Sequence, residues 1–317
     1  MRGSDTLNKP ATMNQMLRKT SMRTRAVFFA SLLLCAARIA LAHEEGAPFS
    51  GAIIDPLVLH HAHIENEQRF NFFASRGVRD GTGAKRNAFE GELELAYASP
   101  NFRYGFELFV PVISIPSPND SEREFGIGDV EFRPVKLALY NSPGFVLATA
   151  TAFRAPTGSE SRGLGDGEWA GTQFLFADFA RGNWYLGSNL GVETALSGPR
   201  ESSFEYGAAL AYSFIHDTTR GGLAAPSPNQ KWVFSPSLEL TGNRGFQGES
   251  SGENSVALIP GLTFWHVRSG WQIHLGVGAP VSGAREADAT GLIQFGNHLN
   301  WGRLFGKGSS HEARREG

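Results

Sequence analysis

The sequence lacks two features on which many exported proteins and membrane proteins depend. Among its 317 residues, Cys35 is the only cysteine, so no disulfide can form within the chain. No apolar run approaches the roughly 20 residues of a membrane-spanning helix, and no long segment shows the period of an amphipathic helix. These absences exclude a disulfide-stapled scaffold and a bundle of membrane helices. They leave a soluble protein or one that crosses a membrane with strands.

Residues 1–42 have the pattern of a secretory signal peptide with an overlong basic region. Arg23 and Arg25 precede an apolar stretch, and Ala40 and Ala42 stand at the two positions that signal peptidase reads. The single cysteine precedes the cut and lacks the small preceding residue of a lipidation site. Cleavage would therefore leave a mature chain with no thiol for metal binding or nucleophilic catalysis.

The mature chain is acidic. Removal of residues 1–42 takes away seven of the 29 Lys and Arg side chains and one of the 31 Asp and Glu side chains. The remaining 22 basic and 30 acidic side chains give a net charge of −8. An acidic exported chain is a poor ligand for nucleic acid, so we expect no nucleic-acid partner.

A two-residue alternation of apolar and polar side chains recurs from residue 63 to residue 305. Glu90, Glu92 and Glu94, for example, alternate with apolar neighbours. Because successive side chains of a strand point to opposite faces, such segments are strands with one apolar and one polar face. In the fourth segment the apolar parity switches at Pro134, which predicts a β-bulge. Twelve segments share the pattern: 63–75, 87–98, 102–112, 126–140, 144–154, 168–179, 184–196, 204–216, 230–241, 255–267, 270–281 and 291–305.

The connections between these segments alternate between long and short, except that residues 217–229 are long where a short connection is due. Trp184, Trp232 and Trp271 closely follow the expected sites of short turns. Long outer loops, short periplasmic turns and a belt of aromatic rings at the membrane interface are typical of outer-membrane barrels.

We therefore predict an all-β fold, a transmembrane antiparallel up-and-down β-barrel of about 12 strands, over residues 63–305. Closure would give every backbone group in the bilayer a partner. The apolar faces, including Phe102, Tyr104, Phe106 and Leu108, would contact outer-membrane lipid, and the polar faces would enclose a water-filled interior. Residues 43–62 would form a periplasmic segment and residues 306–317 a polar tail. A secreted β-sandwich with solvent-exposed charged faces is the alternative.

The polar parity identifies candidate pore-lining residues. On the first four strands these are Glu65, Glu67, Arg69, Glu90, Glu92, Glu94, Arg103, Glu107, Asp129, Glu131 and Arg133. Later strands add Arg154, Glu193, Glu205, Lys231, Glu239, His274 and His298. Carboxylates outnumber bases, so an open lumen would favour cations or polar solutes. Alternatively, these charges pair across the interior and fill it, since a twelve-stranded barrel lies between packed small barrels and open porins.

Histidines cluster before the first predicted strand. His43, His60, His61 and His63 have glutamates nearby, and imidazole together with carboxylate suits Zn, Cu or Ni. The spacing matches no defined metal site, so we expect a solvated periplasmic segment and predict no metal or other cofactor.

No catalytic motif accompanies the charged residues. The later histidines have no Gly-x-Ser-x-Gly or similar nucleophile setting beside them. No phosphate-binding or dinucleotide loop is present, because the Gly-x-Gly at 126–128 opens a strand rather than a helix. We therefore predict that the protein is not an enzyme.

Two glycine-rich stretches carry a resemblance to a known family. Residues 126–140, GIGDVEFRPVKLALY, and residues 155–169, APTGSESRGLGDGEW, resemble a strand and an outer loop of the outer-membrane transporters linked to phenol degradation, the MetA-pathway family. The resemblance implies passive uptake of small molecules, with aromatic or apolar compounds as one class. The chain departs from such barrels at its end, where Phe305 is followed by a polar tail.

A passive outer-membrane channel is thus the favoured function. A non-transporting structural, receptor or adhesion barrel is the alternative, and a barrel enzyme that acts on lipid is a third. An open polar path would favour transport, whereas an interior filled by Arg–Glu pairs would favour a structural role.

Cleavage of the signal peptide after Ala42 is directly testable. We expect the exported protein to begin at His43, because Ala40 and Ala42 satisfy the peptidase. Mass spectrometry of the mature N-terminus measures this, and a lipid on Cys35 would contradict it.

Overall fold

The computed structural model describes residues 56–119, 122–198, 201–218, 224–226, 229–248, 250–267, 269–283 and 287–298. The predicted signal peptide with its cleavage point, residues 43–55 and the tail 306–317 lie outside this described part. Among the described residues, no helix has the length and apolar character needed to cross a membrane.

The described chain is built almost wholly of strands. They are β1 (Glu67–Arg79), β2 (Lys85–Ala98), β3 (Tyr104–Pro116), β4 (Arg123–Ile127), β5 (Val130–Ser142), β6 (Phe145–Ala155), β7 (Ala170–Arg181), β8 (Trp184–Ala195), β9 (Ser202–Tyr212), β10 (Asp217–Thr218), β11 (Ala224–Ala225), β12 (Trp232–Gln247), β13 (Asn254–His266), β14 (Trp271–Gly283) and β15 (Ala289–His298). A single turn of 3₁₀-helix, Glu160–Arg162, lies in the loop between β6 and β7.

The strands close into an antiparallel barrel. Each pairs with its neighbour in sequence, β4 and β5 together form one barrel strand beside β3, and β10 and β11 form a separate two-stranded pair. Closure comes from β1, which pairs with β2 on one side and with β15 on the other, with Glu67 opposite His298. The predicted barrel of about 12 strands is confirmed, and the β-sandwich alternative is excluded.

The two faces of the wall follow the alternation in the sequence. Along β8, Trp184, Leu186 and Leu190 are exposed on the outside, while Tyr185 and Asn189 are buried inside. Exposed apolar side chains on an outer surface suit hydrocarbon, where burial against lipid replaces burial in a core. At the turn end of the wall, the rings of Trp184 and Tyr212 meet edge to face, 4.9 Å apart.

One predicted lipid-facing residue is misplaced. Phe102, expected on the outer face, is buried against Ile64, Ala98 and Ala138. It lies in the turn before β3 with a φ of 52°, in the left-handed region that a residue with a side chain rarely adopts. This turn breaks the alternation, and β3 regains it from Tyr104 onward.

The predicted bulge at Pro134 is present. The register between β5 and β6 shifts between Phe132 and Val135. Because a bulge adds one residue, it reverses the parity, and both Arg133 and Lys136 consequently point inward and are buried. The predicted segment 126–140 is also interrupted by Gly128 and Asp129, which separate β4 from β5.

The outer loops are shorter than predicted, because the strands are longer than a bilayer crossing requires. β2 has 14 residues and β12 has 16, whereas about 9–11 residues suffice for a tilted strand to span. The first outer loop, expected over residues 76–87, is reduced to residues 80–84. The long outer connection between β6 and β7, residues 156–169, remains.

A disulfide can test the closure of the barrel. Ser75 on β1 faces Thr290 on β15, with their hydroxyl oxygens 2.9 Å apart. Paired antiparallel residues have Cα atoms about 4.5–5.5 Å apart, within the range that a disulfide bridges. In a Cys35→Ser background, the variant Ser75→Cys/Thr290→Cys should form an intramolecular disulfide on oxidation.

The disulfide would be seen as faster migration of the denatured protein on a non-reducing gel. The control is Ser75→Cys/Ser203→Cys, because Ser203 lies on β9, which is not a neighbour of β1. Equal crosslinking in both variants would contradict closure through β1 and β15.

Candidate functional site

Residues 56–66 lie inside the barrel, and we call them the luminal segment. Leu57, Leu59, Ala62 and Ile64 are all buried, in contact with strands from around the wall. The expectation of a solvated periplasmic segment is therefore wrong for these residues. The chain's own backbone therefore occupies part of the lumen.

The upper part of the segment is held by one carboxylate. Glu239 on β12 accepts hydrogen bonds from the backbone N–H groups of Leu57, Val58 (3.0 Å) and Leu59 (3.1 Å). From β15, three strands away along the wall, the side-chain amide of Gln294 donates to the carbonyl of Leu57. Buried peptide groups require hydrogen-bond partners. Glu239 and Gln294 therefore fix where this end of the luminal segment lies inside the barrel.

Glycines in the wall provide hollows for the leucines of the segment. A Cβ added to Gly261 or Gly276 would lie 2.3 Å or 2.7 Å from a methyl of Leu57. A Cβ at Gly207 would lie 2.3 Å from a methyl of Leu59. Because real Cβ atoms do not approach so closely, a larger residue at these inward positions would displace the segment.

The lower part of the segment is held by Asp178 on β7. Its carboxylate accepts from the backbone N–H groups of Ala62 (2.7 Å) and His63 (3.0 Å), from His63 Nδ1 (2.8 Å) and from the hydroxyl of Tyr185 (2.9 Å). Asp178 itself is fully buried. A buried carboxylate with four donors is well compensated for the loss of water.

Beside the segment, one carboxylate joins two cations. Glu107 on β3 binds Arg133 Nη1 at 2.7 Å and Lys136 Nζ at 2.6 Å, and all three side chains are buried. Arg133 Nη2 also binds Glu131 at 2.8 Å and donates to His60 Nε2 at 2.8 Å. A nitrogen that accepts from a guanidinium carries no proton, so His60 is neutral in this arrangement.

Aromatic rings surround this cluster. The guanidinium carbon of Arg133 lies 4.6 Å from the ring centre of Phe109 and 5.1 Å from that of Phe174. The ring of His60 contacts the same two phenylalanines edge to face. Cation–π contacts of a desolvated guanidinium add to its stabilisation, so the cluster is a rigid part of the wall.

A second polar group lines β1 and β2. Arg69 binds Glu67 at 2.8 Å and lies 3.7 Å from Glu94. The amide of Asn71 donates to Glu92 at 2.9 Å. Acidic side chains thus cluster on this side of the lumen, together with Arg69.

Two cavities meet at the luminal segment. The larger, about 1130 Å³, extends toward the outer loops, and its floor includes Val58, Leu59 and His60. The smaller, about 250 Å³, lies between the segment and the wall. Its charged lining residues are Arg69, Glu90, Glu92, Glu94, Glu107, Arg133 and Lys136.

Two of the predicted pore-lining residues lie apart from these groups. Arg103 is exposed in the turn between β2 and β3. Asp129 accepts from the backbone N–H groups of Gly158 (2.8 Å) and Asp166 (2.7 Å), so it anchors the long outer loop.

Glu65 is buried at the lower end of the segment, where it contacts His63 at 3.1 Å.

Two central residues are not among the predicted ones. The alternation does not identify Asp178 as an inward residue, because β7 has large apolar side chains on both faces. Phe176 is buried inside and Leu175 is exposed outside. Lys136 could have been found, since the parity switch at Pro134 places it on the inner face.

Comparison with known proteins agrees with this architecture. The model of the family described as "Putative MetA-pathway of phenol degradation" matches residues 73–225. The comparison with curated proteins finds no match.

Among solved structures, the chain is similar to "Crystal structure of the COG4313 outer membrane channel from Pseudomonas putida F1", with a TM-score of 0.53, 15% identity, and coverage of 77% of this chain and 99% of that chain. The NanC porin gives a TM-score of 0.46, 8% identity, and coverage of 74% and 99%. The β domain of the Bordetella autotransporter BrkA gives 0.46, 11% identity, and coverage of 74% and 100%. At these identities the likeness concerns the fold alone.

Loss of Glu239 should loosen the luminal segment. A hydrogen bond to a charged group contributes about 1.5–3 kcal/mol, so in Glu239→Ala we expect exchange of the amides of residues 57–59 to accelerate at least about ten-fold. Hydrogen exchange followed by mass spectrometry measures this.

The control is Glu205→Ala, because Glu205 is an inward carboxylate that lines the larger cavity. Equal acceleration in both variants would show that the clamp at Glu239 does not hold the segment.

Proposed function

Because the family model described as "Putative MetA-pathway of phenol degradation" matches residues 73–225, we propose that the protein is an outer-membrane channel for passive uptake of small molecules. The exported barrel would sit in the outer membrane with its apolar face on lipid. Transport, rather than catalysis on lipid, is the activity proposed.

The observation that carries the proposal is a pair of adjoining cavities inside the lumen. The outer cavity of about 1130 Å³ and the inner one of about 250 Å³ share Val58, Leu59, His60 and Phe73 in their linings. A barrel with a purely structural role needs neither a vestibule nor a polar space beside the segment. The pair of cavities supports a path that the luminal segment narrows.

The size and lining of the inner cavity support a small solute. A volume of about 250 Å³ is below the roughly 300–1,000 Å³ of pockets that hold drug-sized ligands. Rings of Phe73, Phe109 and His60 line it together with four carboxylates and three bases. We propose small aromatic or polar molecules as the substrates, with cations favoured over anions.

Conductance in planar bilayers tests the proposal. We expect wild-type protein to conduct in small steps and to prefer cations, because carboxylates raise the local cation concentration. Glu92→Gln/Glu94→Gln should weaken this preference most at low salt, since screening acts within about 10 Å at roughly 0.1 M salt. The reversal potential in a salt gradient measures the preference.

The control is Glu122→Gln/Glu160→Gln, which changes two exposed carboxylates of the outer loops that line neither cavity, and it should leave selectivity close to wild type. If both wild type and Glu239→Ala fail to conduct, the channel proposal is rejected and the structural barrel takes its place. If Glu92→Gln/Glu94→Gln prevents assembly instead of changing selectivity, these carboxylates are a buried pairing network.

A further inference from the structure

Three side-chain donor atoms converge at the lower end of the luminal segment. His63 Nε2 lies 3.1 Å from Glu65 Oε1, and His61 Nε2 lies 3.5 Å from the same oxygen. The three donor atoms all lie within 4.8 Å of one another. The side chains are 7%, 5% and 6% exposed for His61, His63 and Glu65, so bulk water contributes little to the group.

The other ring nitrogens fix how the two histidines are oriented. His61 Nδ1 lies 3.1 Å from the carbonyl oxygen of His63, which can only accept, so this nitrogen is the donor. His63 Nδ1 lies 2.8 Å from Asp178 Oδ2, and it likewise donates. When each ring is neutral with its proton on Nδ1, Nε2 is the unprotonated nitrogen, and both Nε2 atoms face the Glu65 carboxylate.

Three potential ligand atoms this close together form a candidate site for a cation. Both Nε2 atoms face the same Glu65 oxygen, but the two rings are stacked, with centroids 3.8 Å apart and planes 20° from parallel. Binding of one ion in the plane of both rings therefore requires one imidazole to turn about its side-chain torsions. With metal–ligand bonds of about 2.1 Å, neighbouring ligands of a tetrahedral ion are about 3.4 Å apart. The measured separations of 3.1 Å and 3.5 Å fit this spacing.

Asp178 provides the support that a metal-binding histidine usually has. A carboxylate on the far ring nitrogen fixes the tautomer and raises the basicity of the ligating nitrogen. Asp178 is itself positioned by the hydroxyl of Tyr185 and by the backbone N–H of Ala62. The orientation of His63 is therefore set by the barrel wall and not by the segment alone.

We propose that His61, His63 and Glu65 bind one divalent first-row transition ion, with Asp178 as the positioning residue for His63. Two imidazoles and one carboxylate suit Zn²⁺ and its neighbours, whereas Ca²⁺ and Mg²⁺ prefer oxygen ligands. Three protein ligands leave one position for water. The ion can reach the site through the inner cavity, which His61 lines.

Zinc titration of the tag-free, full-length protein in detergent tests the site. After treatment with a chelator, the wild type should take up one Zn²⁺ per chain in isothermal calorimetry. Bound Co²⁺ should give the visible absorption of a low-coordinate ion. His61→Ala/His63→Ala and Glu65→Gln should each lower the affinity about 100-fold or more, because each removes a ligand atom from a three-ligand site.

Asp178→Asn should weaken Zn²⁺ binding by about 10–100-fold and shift the Co²⁺ absorption, as expected for a residue that orients a ligand. The matched control is His60→Gln, because His60 belongs to the same segment but faces Arg133, and its affinity should equal that of the wild type. Heat-dependent gel mobility verifies that each variant forms a barrel. If the wild type takes up no Zn²⁺ at micromolar concentration, or if His61→Ala/His63→Ala binds equally well, the proposal is wrong and the three side chains form only a proton-linked network.

Discussion

Inside a bilayer no water is available to an unpaired peptide group, and the whole structure follows from this constraint. A sheet can meet it only by closing, here through the pairing of β1 with β15. Closure also creates an interior that the chain itself must occupy, and the apolar residues of the strands lie on the outer face, where lipid solvates them. The polar residues of each strand consequently face one another across the lumen. The charged interior is therefore a consequence of the hydrocarbon that surrounds the barrel.

Charges brought together in this way must be matched or hydrated. The Glu107 cluster with Arg133 and Lys136 is matched, and removal of one member of such a buried group costs about 3–5 kcal/mol because it leaves an uncompensated charge. Glu239 and Asp178 are matched differently, by backbone N–H groups of the luminal segment. The luminal segment thus narrows the lumen and also supplies the hydrogen-bond donors that the buried carboxylates of the wall require. The carboxylates near Glu92 border the remaining space, where solute would pass.

The sequence predicts the barrel well because the bilayer imposes a local rule on every strand. Alternation alone is enough to identify the strands, the inward glutamates and the bulge at Pro134. The alternation fails at Phe102, because the turn before β3 directs this side chain inward. It also fails on β7, where phenylalanines occupy both faces of the strand. The luminal segment carries no alternation, and its position depends on residues such as Glu239 and Gln294 that are distant in sequence. No local pattern reports such contacts.

The contacts of Leu57 have a consequence for the order of assembly. Its partner Glu239 is 182 residues away in sequence and its partner Gln294 is 237 residues away. Contacts of such long range are formed late, because the loop entropy must be lost before they stabilise the fold. Leu57 is bound by side chains of both β12 and β15, so its contacts are complete only when the final hairpin has been added. The luminal segment, which precedes the first strand, would then be among the last parts of the chain to become ordered. Its binding inside the barrel would be the final step of folding.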